Sequence, residues 1–578
     1  MLSASETIGF KTGDGVKKGW REEIFPVATL LALSAFLIFF QLGEAGLIDP
    51  DEPFYSLTAK EMLSQHELST PLLFGKPQFE KPILFYWVIY GFFRSLGVSE
   101  FAARLGPGLA GISIVLITYF WAYVLFRRKQ IASLSAVVLA ASAQFVILSR
   151  IVLTDIFLCL FVTAALFCFS LGKRYPKHRL LCWNLVFTFS ALGFLTKGPL
   201  GFMIPFTGIL FYAWVSGEQY IFRKIPWISG IVLFMLIGFP WYALMTWKYG
   251  SAFLRHFFVH ENLRRIFVAE HAGCNKLFFY PLTLFAGFFP WSGFLIPGLI
   301  YAGRSSFRKT GSQESFLFLF ISFSLPFLFF ITAQSKLMSY IFPLYPMVAI
   351  LMGAWMFRAY RAVALQHEPK NLFVWLNALV WGSASAAFPA VCFLFGRTNG
   401  LHLAGSALWI AVAMIPFSGI SIYLFAQKKY PAAFSSMILL MFFLTGVSFG
   451  LLLPQIEPVI SSKKWAEWYQ KTTQDQPNAY LLISKMYVRG LSFYTGNPNI
   501  GVFSDRQDGD FYTRPPIRIV SDAKGLLAIS SEKFPVYFLL RKKEWEFLKS
   551  MVDRRAVLTV LENRGQQIAA RLDQRIVQ

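Results

Sequence analysis

Charged residues are scarce in this chain. Only 15% of its 578 residues are charged, and Asp and Glu number 31 against 54 Lys and Arg. Hydrophobic residues make up 56% and aromatic residues 18%, which is more apolar surface than a soluble core can bury. Apolar stretches near the roughly 20 residues that cross a bilayer recur between residues 25 and 453. The composition therefore excludes an ordinary soluble enzyme and predicts a polytopic α-helical membrane protein.

Several familiar motifs are also absent. Of the five cysteines only Cys274 falls in a connecting loop, so the sequence indicates neither a disulfide framework nor a CxxC metal site. The HExxH spacing of zinc proteases does not occur. No internal repeat is visible, which argues against the paired halves of many transporters. No small-residue cleavage site follows the first apolar run, and we expect that run to be a retained span.

The net charge of +23 is divided among the connections between apolar stretches and forms no single basic face. This pattern excludes nucleic acid as a partner and is typical of basic loops that face the cytoplasm and its acidic lipids. With residues 1–24 placed in the cytoplasm, every loop assigned to the inside is basic. These loops are RRKQ from 127, GKRYPKHR from 172, FRK from 222, GRSSFRK from 303, the segment 358–370 and QKK from 427.

Thirteen spans are predicted within a transmembrane domain covering residues 25–455. They lie near 25–48, 104–126, 131–149, 154–172, 180–196, 198–216, 226–247, 277–301, 315–333, 337–357, 372–396, 403–426 and 431–453. The outside segment 49–103 is predicted to hold a short amphipathic helix at the membrane interface over 53–62. Residues 456–578 alternate candidate strands (479–484, 535–540) with helical stretches, which predicts a periplasmic α/β domain.

Acidic residues open the first outside segment, in the run DPDEPFYS. One interpretation is a helix N-cap at Asp49 or Asp51 with solvated neighbours. The other makes Asp51 and Glu52 catalytic carboxylates at the boundary between water and lipid, where a general base can reach an acceptor hydroxyl or phosphate. Both interpretations remain open at this point.

Two further acids belong to the same predicted face. Glu80 and Lys81 precede Pro82 in KPQFEKPILFYW, where an exposed charge pair before a helix that starts at the proline is the plainer interpretation. Asp155 lies one turn inside an apolar run, and intramembrane acids are usually functional. The alternative for Asp155 is a structural ion pair with Arg150 at the interface.

Cationic side chains are candidates for binding a phosphate. Lys197 and Lys336 end outside-facing spans near Gly or Pro, although each could also be a snorkelling anchor. In FLRHFFVHENLRRIFVAEH, His260 and Glu261 precede Arg264 and Arg265, a grouping that suits phosphate binding by arginine. A metal ligand role for His260 together with Glu80 is a further hypothesis.

These segments, in order, resemble the bacterial aminoarabinose transferase family, a lipid A modifying branch of the C-type, protein-mannosyltransferase-like glycosyltransferases. The resemblance rests on DPDEPFYSLTAKEML, KPQFEKPILFYW, the LTD of 153–155, LTKGP, VHENLRRI, AGFFPW, SKLMSYIFPLYP and SKMYVRGLSFYTG. It implies thirteen spans, a periplasmic α/β domain, and a cavity where an undecaprenyl phosphate sugar meets its acceptor in the bacterial inner membrane.

The same resemblance implies roles for individual residues. Asp51 and Asp155 would be the essential acids, and Glu80 with His260 would bind zinc. The implied contacts to the donor phosphate and the acceptor are Tyr55, Lys81, Lys197, Arg265 and Tyr340. This chain departs from the family pattern at Phe54, where the family commonly has arginine, and at Gln78, where it often has tyrosine. The order His260–Glu261 is also the reverse of the usual one.

The expected reaction is sugar transfer from a polyprenyl phosphate donor, since nucleotide sugars are not available outside the cytoplasm. Lys81, Arg265 and Lys197 are predicted to neutralise the departing phosphate while Asp51 aligns or deprotonates the acceptor for an inverting displacement. The acceptor is lipid A or another glycan or protein. A flippase for a lipid-linked glycan is the alternative in another functional class, and it would leave the sugar–phosphate bond intact.

Overall fold

The structure is a computed structural model of the chain. It describes residues 21–268, 276–308, 311–364, 372–476, 479–506, 517–532, 535–552 and 557–573. Helices dominate as far as residue 460, and a mixed α/β region follows. The predicted fold class, a polytopic helical membrane protein with a C-terminal α/β domain, is confirmed.

The helices of the membrane part follow one another with short connections. In chain order they are α1 (Arg21–Phe39), α2 (Asp51–Ser64), α3 (Leu84–Leu96), α4 (Glu100–Phe126), α5 (Lys129–Ala140), α6 (Ala143–Arg150), α7 (Asp155–Arg174), α8 (Arg179–Lys197), α9 (Leu200–Val215), α10 (Tyr220–Lys224), α11 (Trp227–Gly238), α12 (Pro240–Leu254), α13 (Arg264–Phe267), α14 (Phe279–Gly287), α15 (Ser292–Ser306), α16 (Gln313–Thr332), α17 (Tyr345–Ala364), α18 (Leu372–Asn399), α19 (Ala404–Ala426), α20 (Tyr430–Val447) and α21 (Leu453–Ile460). π-Helical turns cover Arg255–Leu263 and Ser448–Leu452, and 3₁₀ turns cover Pro176–His178 and Met338–Leu344.

Eight of the described helices are long and apolar enough to cross a membrane, or up to eleven if each of three bent pairs is one span. Two shorter apolar helices lie at Pro26–Phe39 and Leu200–Val215. Each of the thirteen predicted segments coincides with one of these helices or bent pairs. The count of thirteen crossings stays a prediction, because a helix of 14 to 16 residues is shorter than about 20, the number that spans the hydrocarbon.

Three predicted single spans are bent in the structure. The bend is 62° between α5 and α6, 48° between α11 and α12, and 114° between α14 and α15. Proline explains two of them, because Pro240 begins α12 and Pro290 lies between α14 and α15. A proline has no backbone N–H to donate and its ring collides with the preceding turn. A hydropathy profile does not detect such bends, so the sequence predicted each stretch as one continuous span.

The segment 49–103 holds α2, the two-stranded hairpin of β1 (Leu72–Leu73) and β2 (Lys76–Pro77), and α3. The predicted interfacial helix exists as α2, but its residues from Glu52 to Ala59 are buried. Its location at the membrane interface stays a prediction. The C-terminal domain covers α2, and no local sequence pattern carries that information.

The C-terminal domain is built on one six-stranded sheet. Its elements are α22 (Lys463–Thr472), β3 (Tyr480–Ile483), α23 (Val488–Thr495), β4 (Ile500–Phe503), β5 (Arg518–Val520), α24 (Ala523–Glu532), β6 (Val536–Arg541), α25 (Lys542–Met551), β7 (Leu558–Arg564) and β8 (Gln567–Leu572). The strand order is β5-β4-β3-β6-β8-β7, parallel from β5 to β6 and antiparallel from β6 to β7. The predicted strands at 479–484 and 535–540 are β3 and β6.

Polar contacts lock this domain onto the membrane part. The Tyr494 hydroxyl accepts a hydrogen bond from the Leu47 amide at 2.8 Å and donates to Glu100 Oε1 at 3.2 Å. Lys463 forms an ion pair with Glu100 at 2.8 Å, and Lys60 of α2 donates to the Phe493 carbonyl at 2.5 Å. The domain thus sits against α2, the loop before it and the beginning of α4.

Candidate active site

The acids that open α2 have three different environments. Asp51 is exposed in the first turn of the helix, and the residue before the helix is Pro50, whose side chain makes no capping hydrogen bond. The N-cap interpretation of Asp49 or Asp51 was therefore wrong. Asp49 is buried, and its Oδ2 accepts a hydrogen bond from the Ser462 amide at 2.8 Å. Burial raises the pKa of Asp49 to about 7, the Ser462 contact and Arg489 oppose the rise, and Glu52 adds to it.

Glu52 is the most tightly bound of these acids. Arg104 donates to both of its oxygens, from Nε at 2.9 Å and from Nη2 at 2.6 Å. The amides of Ile48 and Val152 donate to the same carboxylate at 2.8 Å and 2.9 Å. A carboxylate with four protein donors has little capacity left for a substrate, so the geometry gives Glu52 a structural role. The predicted catalytic role is not supported by this environment.

Tyr55 is buried near several of the predicted acids. Burial raises its pKa well above 10.0, and the charges of Asp155, Asp51 and Glu80 raise it further. Three acids from separate segments therefore lie within electrostatic range of one phenol. Because its hydroxyl stays protonated, Tyr55 can donate a hydrogen bond to a substrate oxygen.

Asp155 begins α7 and is paired with a lysine from the end of the next helix. Lys197 Nζ lies 2.5 Å from Asp155 Oδ1, and the same amine lies 4.6 Å from the centre of the Tyr340 ring. The structure thus brings three predicted site residues together. Arg150, the alternative partner of Asp155, instead donates to the carbonyls of Leu37, Ile38 and Phe40. The predicted Arg150–Asp155 pair was wrong.

Lys81 contacts the π-helical turn Arg255–Leu263. Its amine lies 3.0 Å from Glu261 Oε2 and also donates to the Glu80 carbonyl at 3.2 Å. The charge pair that precedes α3 is therefore half-buried against the π-helical turn and is not fully exposed. The side chain of Arg265 and the whole of His271 lie outside the described residues. Lys336 is buried and donates to the Lys276 carbonyl at 3.2 Å.

The surroundings of His260 bear on the predicted zinc site. Nowhere in the described ranges do three His, Cys, Asp or Glu side chains come together as metal ligands. Arg264 Nη1 lies 3.4 Å from His260 Nδ1, so a cation already stands beside the predicted ligand. Such a setting favours an anion over a divalent cation. The zinc site of Glu80 and His260 stays a prediction, and no step of the reaction below uses it.

Two residues that depart from the family pattern have clear structural partners. Gln78 donates from Nε2 to the Tyr86 hydroxyl at 2.6 Å and accepts from the Glu80 amide at 2.9 Å, so it positions Glu80. Phe54 packs edge-on against Tyr55 and lies under the guanidinium of Arg489, which is 4.6 Å from the ring centre.

Sequence reasoning missed the roles of two arginines. An arginine at the edge of a predicted span is itself a signal, since intramembrane charges seek partners, and this signal could have identified Arg104. Arg489 falls within the run SKMYVRGLSFYTG that carries part of the resemblance, but nothing local indicates where its side chain lies.

Comparison with known proteins supports the same assignment. Residues 27–256 match the family model described as dolichyl-phosphate-mannose-protein mannosyltransferase. The undecaprenyl phosphate-alpha-4-amino-4-deoxy-L-arabinose arabinosyl transferase of Pectobacterium carotovorum is 30% identical over 396 residues, which cover 68% of this chain and 69% of the relative. The protein of the same name from Aeromonas hydrophila is 30% identical over 420 residues, covering 69% and 72%.

Among solved structures, ArnT from Cupriavidus metallidurans bound to undecaprenyl phosphate shares the fold. The TM-score is 0.77 at 21% identity, with 96% of this chain and 98% of that chain covered. The chain therefore belongs to the undecaprenyl phosphate-alpha-4-amino-4-deoxy-L-arabinose arabinosyl transferase family and is a polytopic membrane glycosyltransferase.

Proposed function

We propose that this chain transfers 4-amino-4-deoxy-L-arabinose from undecaprenyl phosphate to lipid A at the periplasmic face of a bacterial inner membrane. The observation that carries the proposal is the ion pair of Lys197 with Asp155, whose atoms are 2.5 Å apart. The buried Tyr55 lies within electrostatic range of Asp155, Asp51 and Glu80. Acids and cations from distant segments of the chain meet here, as transfer from a phosphate leaving group requires. The names of the relatives support the sugar and the carrier.

In the proposed reaction the acceptor oxygen forms a bond to the anomeric carbon as the bond from that carbon to the carrier phosphate oxygen breaks. The configuration inverts, and undecaprenyl phosphate leaves with the electron pair. Lys197, Lys81 and Arg265 neutralise the charge that grows on that phosphate. Asp51 accepts the proton if the acceptor is a hydroxyl, or orients the acceptor if it is an ionised phosphate.

Sidedness belongs to the proposal as well. With the N-terminus in the cytoplasm, the active site and the C-terminal domain lie in the periplasm, while the cluster of Lys173 with Glu218 and Glu314 lies at the cytoplasmic end. In a cysteine-free background, a thiol introduced at Lys543 should react with an impermeant reagent in whole spheroplasts, and one at Glu314 should not. The opposite result would contradict this orientation.

Asp51→Asn tests the chemistry. Removing a general base lowers rates by about a hundredfold to ten-thousandfold, so the purified variant should lose transfer from the undecaprenyl phosphate sugar to lipid A. Because Asp51 is exposed, expression and thermal stability should stay at wild-type levels. Asp475→Asn, an exposed aspartate of the C-terminal domain, is the matched control and should keep full activity. Near-normal turnover by the Asp51 variant would remove it from the catalytic role.

A protein acceptor is the second candidate, because the matching family model describes transfer to protein. Mass spectrometry of lipid A and of glycoproteins from a deletion strain separates the two candidates. Loss of the aminoarabinose adduct from lipid A supports the first, and loss of protein glycosylation supports the second. A flippase would leave the donor unconsumed in a detergent assay with purified protein.

A further inference from the structure

Arg489 brings a positive charge from the C-terminal domain to the edge of the active site. It lies near the beginning of α23, and its guanidinium covers the Phe54 ring at 4.6 Å from the ring centre. Phe54 in turn packs edge-on against Tyr55, with ring centres 5.0 Å apart. Only one aromatic ring therefore separates this cation from the phenol of Tyr55.

The charge of Arg489 influences the pKa values of groups on both sides of the Phe54 ring. It opposes the rise in the pKa of Asp49 on the side of the domain interface and of Tyr86 on the side of the active site. Tyr86 is the hydroxyl that accepts from Gln78, whose Oε1 holds the Glu80 amide. Arg489 is thus part of the electrostatic environment of the site.

The Nε of Arg489 is buried and makes no hydrogen bond to the described residues. A partly buried cation of this kind is costly unless an anion satisfies it. The planar fork of an arginine matches a phosphate with two parallel hydrogen bonds, while the aromatic ring supports its other face.

We propose that Arg489 binds a phosphate of the acceptor, so that the C-terminal domain completes the active site. The inference rests on the proposed transferase function. The donor phosphate is attached to a lipid tail and suits Lys197, which ends a membrane helix. Arg489 comes from the domain that follows the last membrane helix, where the head group of an acceptor can approach.

Steady-state kinetics of purified full-length protein, with bisphosphorylated lipid A and the undecaprenyl phosphate sugar as probes, test the assignment. Arg489→Gln should raise the KM for lipid A by about tenfold to a hundredfold, the usual worth of a hydrogen bond to a charged group. The KM for the donor should stay within about twofold, because other cations hold its phosphate. The KM of Arg489→Lys for lipid A should fall between those of the wild type and the Gln variant, since lysine keeps the charge but lacks the planar guanidinium.

Lys543→Gln is the matched control, because it removes one positive charge from an exposed side chain of the same domain. It should leave both KM values and the thermal midpoint unchanged. An unchanged lipid A KM in folded Arg489→Gln would overturn the inference while the proposed function stands. A rise in the donor KM alone would assign Arg489 to the donor, and equal rises with a lowered thermal midpoint would assign a structural role. A wild-type protein that leaves the donor unconsumed would overturn the proposed function itself. The assignment of Arg489 to an acceptor phosphate would then fall as well.

Discussion

Replacing Glu52 by glutamine should damage stability far more than chemistry. The side chains of Glu52 and Arg104 are 2% and 5% exposed, and they form a bidentate pair deep in the structure. Arg104 also donates to the carbonyls of Leu42, Ala45 and Gly46. These hydrogen bonds hold its side chain in place, so the guanidinium cannot turn toward solvent when Glu52 is changed. Glutamine removes the negative charge and places an NH₂ group where two donors already point.

The expected loss is about 3–5 kcal/mol in the free energy of unfolding, the usual cost of removing one partner of a buried pair. Arg104→Met should cost a similar amount, because it leaves Glu52 buried without its cation. The double variant Glu52→Leu/Arg104→Met should lose less than the sum, since neither charge is then left alone. Unfolding in mixed detergent micelles, followed by tryptophan fluorescence, measures all three.

Activity provides the discriminating measurement. The folded fraction of Glu52→Gln should transfer sugar within about tenfold of the wild type, whereas Asp51→Asn should lose at least about a hundredfold. Wild-type stability in the Glu52 variant, together with a loss of transfer equal to that of the Asp51 variant, would refute the structural interpretation. It would return Glu52 to the catalytic role predicted from the sequence.

Three further outcomes are expected. The pKa of Asp49 is raised from 3.8 to about 7, so its contribution to stability is complete below pH 4 and is lost as the pH rises through 7. Asp49→Asn should therefore flatten the dependence of the thermal midpoint on pH over this window. An unchanged slope in the variant would contradict the assignment. Gly490→Ala should destabilise the protein, because a Cβ there would collide with Ser462 and Asp49, whereas Gly419→Ala meets nothing and should be neutral in the same melting assay. Dialysis against EDTA should leave transfer intact because the guanidinium of Arg264 lies beside His260, and a loss of activity that zinc alone restores would establish the metal predicted at Glu80 and His260.

Much of the fold could be predicted because hydrophobicity is a local property. An apolar run of sufficient length forms a helix in lipid whatever surrounds it, so every predicted span coincides with an apolar helix or bent pair. The burial of α2 and the 114° bend between α14 and α15 could not be read in this way. The first depends on a domain that lies about 400 residues further along the chain.

For the site, the chain by itself determined which chemical groups are available and that most of them belong to one face. Only the tertiary structure decided which group meets which. Lys197 pairs with Asp155 across 42 residues and Lys81 with Glu261 across 180, while Glu52 pairs with Arg104. The physical reason is that the strength of a charge interaction depends on distance and burial in space, and neither is a property of sequence separation.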